Sequence, residues 1–166
     1  MQFTPEIIAF ALFSVFSLGG GLGVVSSRNL IHAALYLVLA LFGVAGIYVL
    51  LEAPFLAAIQ ILVYIGAIAV LVTITIMVTR RLMGVSENVS RQWPIAAIGA
   101  LLVAVLLGYV LFSLFGGLSP ATDVPPDTIA QIGRAFVDPQ GYMVPFELAS
   151  VLLLAAMIGA IYVSRD

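Results

Sequence analysis

Apolar residues along the chain fall into five long runs that polar segments separate. Each run is close to the roughly 20 residues that an α-helix needs to cross a bilayer. The runs predict transmembrane helices at about residues 5–25, 30–51, 54–79, 94–115 and 145–163, and an extramembrane loop at about 116–144. Within that loop the spacing of Ile129, Ile132 and Phe136 indicates a short amphipathic turn or two. The predicted fold class is therefore an all-α integral membrane protein, with a single membrane domain over residues 1–166.

Helix-start signals support these boundaries. Thr4 is a predicted N-cap with Pro5 in the first helical position, and Asn29 is a predicted N-cap for the second helix. Residues 52–54 are too few for anything but a tight turn. The second and third helices are therefore expected to be antiparallel neighbours.

The third helix carries more polar and small residues than a membrane anchor needs. At about 100° per residue, one arc of about 60° holds three polar side chains: Gln60, Tyr64 and Thr75. A second arc holds four small ones: Ala58, Gly66, Ala69 and Thr73. Unpaired polar groups in hydrocarbon cost free energy, so both arcs are expected to face protein. They indicate either two packing faces or a helix that changes shape or lines a water path, since Gly66 weakens the backbone there.

Small residues also suggest close packing elsewhere. Gly19 and Gly23 form a GxxxG pair in the first helix, and Ala155 and Gly159 form a similar pair in the fifth. The glycine run at residues 19–23 is not a nucleotide-binding loop, because its spacing differs from GxGxxG and it lies inside an apolar helix.

Composition excludes several function classes. The chain is 63% hydrophobic and 8% charged, which is typical of an integral membrane protein. It contains no Cys, so thiolate catalysis, disulfides and iron-sulfur ligation are excluded, and the single His32 leaves no histidine cluster for a metal. No basic stripe suggests nucleic acid. The amino terminus lacks the positive region of a signal peptide, so we expect the first run to be kept as a spanning helix.

The arginines predict an orientation. Five of the six basic residues fall on one side of the five-helix topology: Arg28, Arg80, Arg81, Arg91 and Arg165. By the positive-inside rule that side is cytoplasmic. The amino terminus and the loop at 116–144 are then outside, in the periplasm, and the carboxyl terminus is cytoplasmic.

Charged residues are confined to the ends of the predicted helices and to the segments between them. Pumps and carriers usually hold a charged residue at mid-depth, at a cost of about 2.5–3.5 kcal/mol or more, and this chain has none. Glu147 suits either a capping role or a proton path, and His32 either a structural or a proton-handling role. No catalytic residue, metal ligand or cofactor site is predicted. The chain is a poor candidate for an independent transporter, and better suited to one subunit of a larger membrane assembly.

Three separated segments resemble one protein family. The run Gln-Ile-Leu-Val-Tyr-Ile-Gly-Ala-Ile-Ala-Val-Leu at residues 60–71 is similar to the signature of the J subunit (mitochondrial chain 6 type) of proton-pumping NADH:quinone oxidoreductase, respiratory complex I. Residues 29–36, and Gly133 followed by residues 145–148, resemble further segments of that family.

The resemblance implies a non-catalytic core subunit of the membrane arm, with no active site of its own. Its partners would be other membrane-arm subunits and the lipid bilayer of the bacterial inner (plasma) membrane. FMN, iron-sulfur clusters and quinone would be held by partner subunits, with NAD as the soluble electron carrier. A π-bulge in the third helix would switch to α-helix and so open and close a water path for protons.

The gating residues that the resemblance implies surround the Tyr-x-Gly element. They are Val63, Tyr64, Ile65, Gly66 and Ala67. Four polar residues are further candidates for the proton path: Gln60, Thr73, Thr75 and Glu147.

The chain departs from the family pattern at two places. Gln60 stands where some members have Glu, and it cannot titrate. Thr73 and Thr75 follow where many members have Phe, and their hydroxyls either bond back to the helix and bend it or extend polarity toward the cytoplasm. An alternative function is a purely structural scaffold subunit of a complex I-like assembly with another electron donor.

Overall fold

The regular elements of the chain are all helical in the computed structural model, which describes residues 4–79, 93–117 and 127–165. The helices are α1 (Pro5–Ser26), α2 (Leu30–Leu50), α3 (Pro54–Ile59), a π-helix (Gln60–Ala69), α4 (Val70–Thr79), α5 (Trp93–Phe115), α6 (Thr128–Val137) and α7 (Met143–Val163). Helix α3, the π-helix and α4 form one continuous third spanning helix, Pro54–Thr79. With it, five helices within the described residues are long and apolar enough to cross a membrane, the number that the sequence predicts.

Most helix ends agree with the sequence to within a residue, and two predictions need correction. The last helix begins at Met143 rather than Pro145. Pro145 fits inside the first turn because the N–H groups of that turn have no intrahelical acceptor, so the missing N–H of proline costs no hydrogen bond. The predicted loop at 116–144 contains a regular helix, α6. Arg80, Arg81 and Arg91 lie outside the described residues, so the orientation in the membrane stays a prediction.

The chain forms two compact units, Met1–Pro120 and Ala121–Asp166. In the first unit, α2 packs against α1 and also against the third spanning helix. The antiparallel pairing predicted from the short turn at residues 52–54 therefore brings these helices into contact. That both units make one membrane domain stays a prediction.

Small residues make the interior of the first unit. The buried apolar side chains among the described residues are alanines: Ala34, Ala45, Ala57 and Ala69. Three glycines on α1 and α2 are also buried: Gly20, Gly43 and Gly46. Helices with such residues at the interface approach closely and gain packing contacts that lipid tails do not replace.

The close approach of α1 to α2 uses a different glycine pair from the predicted one. A Cβ atom at Gly20 would lie 2.6 Å from the backbone nitrogen of Ala40, and one at Gly23 would lie 2.6 Å from the Tyr36 ring. A Cβ at Gly19 would meet nothing within 4 Å. The GxxxG pattern identified the right helix but included a glycine that points away from α2.

Helix α2 ends in a Schellman motif with glutamate in the left-handed position. The Ala53 N–H donates to the Tyr48 carbonyl (3.0 Å) and the Glu52 N–H donates to the Val49 carbonyl (3.1 Å). Glu52 has φ of 54°, a conformation that usually belongs to Gly because a Cβ is strained there by about 1–2 kcal/mol. The hairpin between the second and third spans is thus made at a cost in backbone strain.

We expect Glu52→Gly to stabilise the chain by about 1 kcal/mol, because glycine adopts this φ without strain. The measurement is the thermal unfolding midpoint in detergent micelles. Glu52→Ala is the matched control, since it removes the carboxylate but keeps the Cβ. Equal midpoints for the glycine and alanine variants would contradict the assignment of strain to residue 52.

Candidate functional site

The middle of the third spanning helix is π-helical over Gln60–Ala69, here called the π segment. Its hydrogen bonds span one more residue than those of an α-helix, and such irregularities inside α-helices are frequent at functional sites. The segment includes Tyr64 and Gly66, and also Val63, Ile65 and Ala67. It joins α-helical turns at both ends, so the irregularity is internal to the span.

The π segment determines which side chains face α2. Gln60 and Ala69 are both buried, with 6% and 1% of their surfaces exposed. They are nine residues apart, and at about 100° per residue an α-helix would put them on opposite sides. The wider turn of a π-helix advances less per residue and returns Ala69 to the side of Gln60. The simultaneous burial of these two residues therefore depends on the π geometry.

Gln60 is the one buried polar side chain among the described residues. Its amide Nε2 donates to the backbone carbonyl of Leu41 on α2, at 3.4 Å. Buried polar groups are costly unless they are hydrogen-bonded, and an amide keeps this donor at every pH. Gln60 thus joins the start of the π segment to the neighbouring helix.

Gly66 leaves space that the π turn needs. A Cβ at this position would lie 3.3 Å from the carbonyl oxygen of Ile61. Ile61 is five residues earlier, which is the position of the hydrogen-bond acceptor in a π-helix. A larger side chain at residue 66 would therefore crowd the backbone on which the π turn depends.

The structure does not gather the predicted polar arc on one buried face. Tyr64 is 46% exposed within the chain, and Thr75 is exposed as well, whereas Gln60 is buried. The arc assumed a constant α-helical advance, and the π segment changes the direction of every residue beyond it. The same change divides the small-residue arc, of which only Ala69 is buried and Gly66 is exposed.

The other residues of the π segment differ in exposure. Val63 and Ala67 are exposed, and Ile65 is half-buried. Ala57 lies just before the segment and is buried, although the sequence did not single it out. Ala57 and Gln60 are three residues apart, so a helical period starting from Gln60 would have identified it.

The hydroxyls of the third spanning helix bond back to the helix. Thr73 Oγ1 donates to the Ala69 carbonyl at 2.7 Å, and Thr75 Oγ1 donates to the Leu71 carbonyl at 2.8 Å. Of the two roles predicted for these threonines, this geometry supports the hydrogen bond back to the helix. The Thr73 bond lies at the end of the π segment and gives its last carbonyl a side-chain donor.

Asn29 and Glu147 are both candidates for capping a helix, and only Asn29 does so. Asn29 caps α2 as predicted, because its side-chain oxygen accepts the Ile31 N–H at 3.0 Å. Glu147 is exposed and lies beyond the first turn of α7, since the Phe146 N–H already donates to the Tyr142 carbonyl at 3.1 Å. The capping role for Glu147 was therefore wrong, because the helix begins two residues earlier than predicted.

A metal centre has no ligand set in the part of the chain that is described. No group of three or more His, Cys, Asp or Glu side chains is close enough there to hold an ion. The chemistry available at the π segment is that of an amide, a phenol, hydroxyls and a flexible backbone. These groups hydrogen-bond to water and to one another.

Comparison with known proteins gives a consistent result. Residues 20–163 match the model of a family described as NADH-ubiquinone/plastoquinone oxidoreductase chain 6. The chain is 37% identical over 163 residues to the F(420)H(2) dehydrogenase subunit J of Methanosarcina mazei, covering 96% of this chain and 91% of that protein. It is 36% identical over 167 residues to the NAD(P)H-quinone oxidoreductase chain 6 of Synechocystis, covering 96% and 81%.

A third relative is the NADH-quinone oxidoreductase subunit J of Escherichia coli strain K12. It is 34% identical over 162 residues, covering 95% of this chain and 86% of that protein. The family match includes the whole of α2, the third spanning helix and helices α5 to α7.

Proposed function

The chain belongs to the NADH-ubiquinone/plastoquinone oxidoreductase chain 6 family, and from this premise we propose that it couples quinone reduction to proton translocation as a core subunit of the membrane arm. It is a multi-pass membrane subunit of the NADH-quinone oxidoreductase type. In this proposal FMN, iron-sulfur clusters and quinone are held by partner subunits, and this chain has no active site. It lies in the bacterial plasma membrane with its amino terminus outside.

The observation that carries the proposal is the π segment. A coupling element needs two discrete arrangements of similar free energy that a distant event can bias. In the π arrangement both Gln60 and Ala69 are buried. In an α arrangement they would point in opposite directions, so conversion would turn one end of the helix against α2. The side chains between them would then face different surroundings in the two states.

Water is the proposed proton carrier through this region. The spanning helices have no charged residue at mid-depth, so a relay of carboxylates within this chain is excluded. Apolar constrictions close by dewetting, and polar groups at the same place allow water to enter. Rotation of the π segment would exchange the apolar Val63 and Ile65 for the Tyr64 hydroxyl at the path. Glu147, just beyond the first turn of α7, is a proposed proton-path residue outside this gate.

We expect Gln60→Leu to favour the α arrangement. The leucine keeps the volume but removes the donor to Leu41, whose carbonyl still has its helical bond. An interhelical hydrogen bond in a membrane is worth about 0.6 kcal/mol, which corresponds to about threefold in the equilibrium between the two states. The expected result is normal assembly with a quinone-reduction rate that changes by up to about threefold.

Ile61→Leu is the matched control for this variant. It lies beside Gln60 in the π segment, is exposed in the chain and has no polar group to lose. Both variants are compared in the rate of NADH-dependent quinone reduction and in proton pumping by membrane vesicles. If Gln60→Leu and Ile61→Leu behave alike, the bond to Leu41 has no part in the switch.

A second function has one observation in its favour. The relative from Methanosarcina mazei is named as a subunit of an F(420)H(2) dehydrogenase, so members of this family serve more than one electron donor. This chain is then a structural scaffold in a complex I-like assembly whose donor is not NADH. Its π segment would have a single arrangement in that case.

Purification of the tagged chain in mild detergent distinguishes these proposals. We expect it to carry partner subunits, with the absorption of flavin and iron-sulfur clusters, and to reduce quinone with NADH. An assembly that accepts electrons only from another donor would support the second proposal. A chain that purifies by itself, without cofactors, would overturn both.

A further inference from the structure

Helix α6 is a short amphipathic helix outside the five spanning helices. At about 100° per residue, Ile129, Ile132 and Phe136 fall within about 60° of one another. Arg134 lies about 140° from Ile129, so the charged side chain is on the opposite face. An apolar face with an arginine opposite it is the pattern of a helix at a boundary between water and an apolar phase.

The end of α6 is fixed to the start of a spanning helix. The Tyr142 N–H donates to the Ala135 carbonyl at 2.9 Å. The Phe136 and Phe146 rings stack with centroids 5.7 Å apart and an interplanar angle of 24°. Tyr142 is the N-cap of α7, and Phe146 is in its first turns. Since α7 is a candidate membrane span, these contacts hold α6 at the depth where that span begins.

Packing on α7 leaves apolar surface of α6 exposed. Ile132 and Phe136 are half-buried, but Ile129 is 55% exposed, and Gly133, about 40° from it around the helix, is exposed as well. This apolar surface continues across the Phe136–Phe146 contact onto α7. The apolar residues of α7 are not buried within the chain either. We therefore expect the lipid that surrounds α7 to cover the exposed face of α6 as well.

We propose that α6 lies in the membrane interface, with Ile129 inserted at the boundary between lipid headgroups and acyl chains. The occupant of this surface is phospholipid. Arg134 points toward the headgroups and water, where its charge stays hydrated or meets phosphate. In this position α6 sets the depth at which α7 enters the bilayer. The inference does not rest on the proposed coupling function.

Site-directed spin labelling of the full chain tests this proposal. The sequence has no cysteine, so single-cysteine variants carry one label each. The labelled positions are Ile129→Cys and Gly133→Cys on the apolar face, Arg134→Cys on the polar face, Gln140→Cys in the turn and Leu152→Cys within α7. The chain is reconstituted in phosphatidylcholine and phosphatidylglycerol vesicles, and collision with oxygen is compared with collision with a water-soluble nickel chelate.

We expect labels at 129 and 133 to have an oxygen-to-nickel collision ratio several-fold above that of the labels at 134 and 140. Their ratio should be below that of the label at 152, because the interface is shallower than the bilayer centre. Two positions on the apolar face keep the test valid if one variant misfolds. Ratios at 129 and 133 equal to the ratio at 140 would place α6 in water and overturn the proposal.

A protein partner is the other occupant to be excluded. Benzoylphenylalanine at residue 129, incorporated in cells and activated by light in their native membranes, reacts with whatever covers this face. We expect no protein adduct in good yield. A defined cross-link to another subunit would overturn the assignment to lipid.

Discussion

We expect Gly20→Val to disrupt the packing of α1 on α2 and to remove the chain from its assembled complex. A Cβ at residue 20 would lie 2.6 Å from the backbone nitrogen of Ala40 and 2.9 Å from its Cα. Backbone atoms inside a helix do not move aside singly, so the two helices would have to separate. Overpacking of this kind costs about 1–3 kcal/mol and sometimes more, and valine adds two further methyl groups.

The neighbouring glycine provides a matched control. A Cβ at Gly21 would meet nothing within 4 Å, so Gly21→Val changes composition and helix propensity equally but leaves the α1–α2 contact intact. The measurement is the amount of chain in the complex on native gels of detergent extracts. Gly43→Val tests the same interface from α2, where a Cβ would lie 2.5 Å from the Ser17 backbone nitrogen. Equal assembly of the residue 20 and residue 21 variants would contradict this account.

The second large effect is expected from Gly66→Val, which should leave the complex assembled but reduce both electron transfer and proton pumping. A Cβ at residue 66 would lie 3.3 Å from the Ile61 carbonyl oxygen, and a β-branched side chain is bulky and stiff at χ1. The crowding acts against the π turn, so the helix should favour its α arrangement. A bias of about 1.4 kcal/mol would change the ratio of the two states about tenfold.

Two variants accompany this measurement. Gly66→Ala adds only the Cβ and should have a smaller effect in the same direction. Gly99→Val places valine in α5, where a Cβ would meet nothing within 4 Å of the chain, and should leave the rates unchanged. Full activity of Gly66→Val would favour the scaffold function. Loss of the complex in this variant would show that Gly66 is needed for packing and not for switching.

Local signals in the sequence were sufficient for the helices and their approximate ends. The structure agrees with three local signals: the hydropathy of each span, the side-chain cap at Asn29 and the short turn before Pro54. Each of them depends only on residues that are close together in the sequence. The amphipathic spacing at Ile129, Ile132 and Phe136 indicated a turn or two, and the structure has a full helix there. The motif that resembles the family falls at the π segment, although the predicted polar arc does not lie on one buried face.

The tertiary structure decided the directions in which these helices present their residues. Whether Gly19 or Gly20 meets α2 depends on the rotation of α1 against its neighbour, which hydropathy does not determine because every face of a spanning helix is apolar. The burial of both Gln60 and Ala69 depends on a π turn, which the α-helical period does not predict. Hydropathy along the sequence was enough to identify the segments that are long and apolar enough to cross a membrane, since hydrophobic burial is additive along the chain. The register between helices needed the structure, because it depends on contacts between residues far apart in sequence.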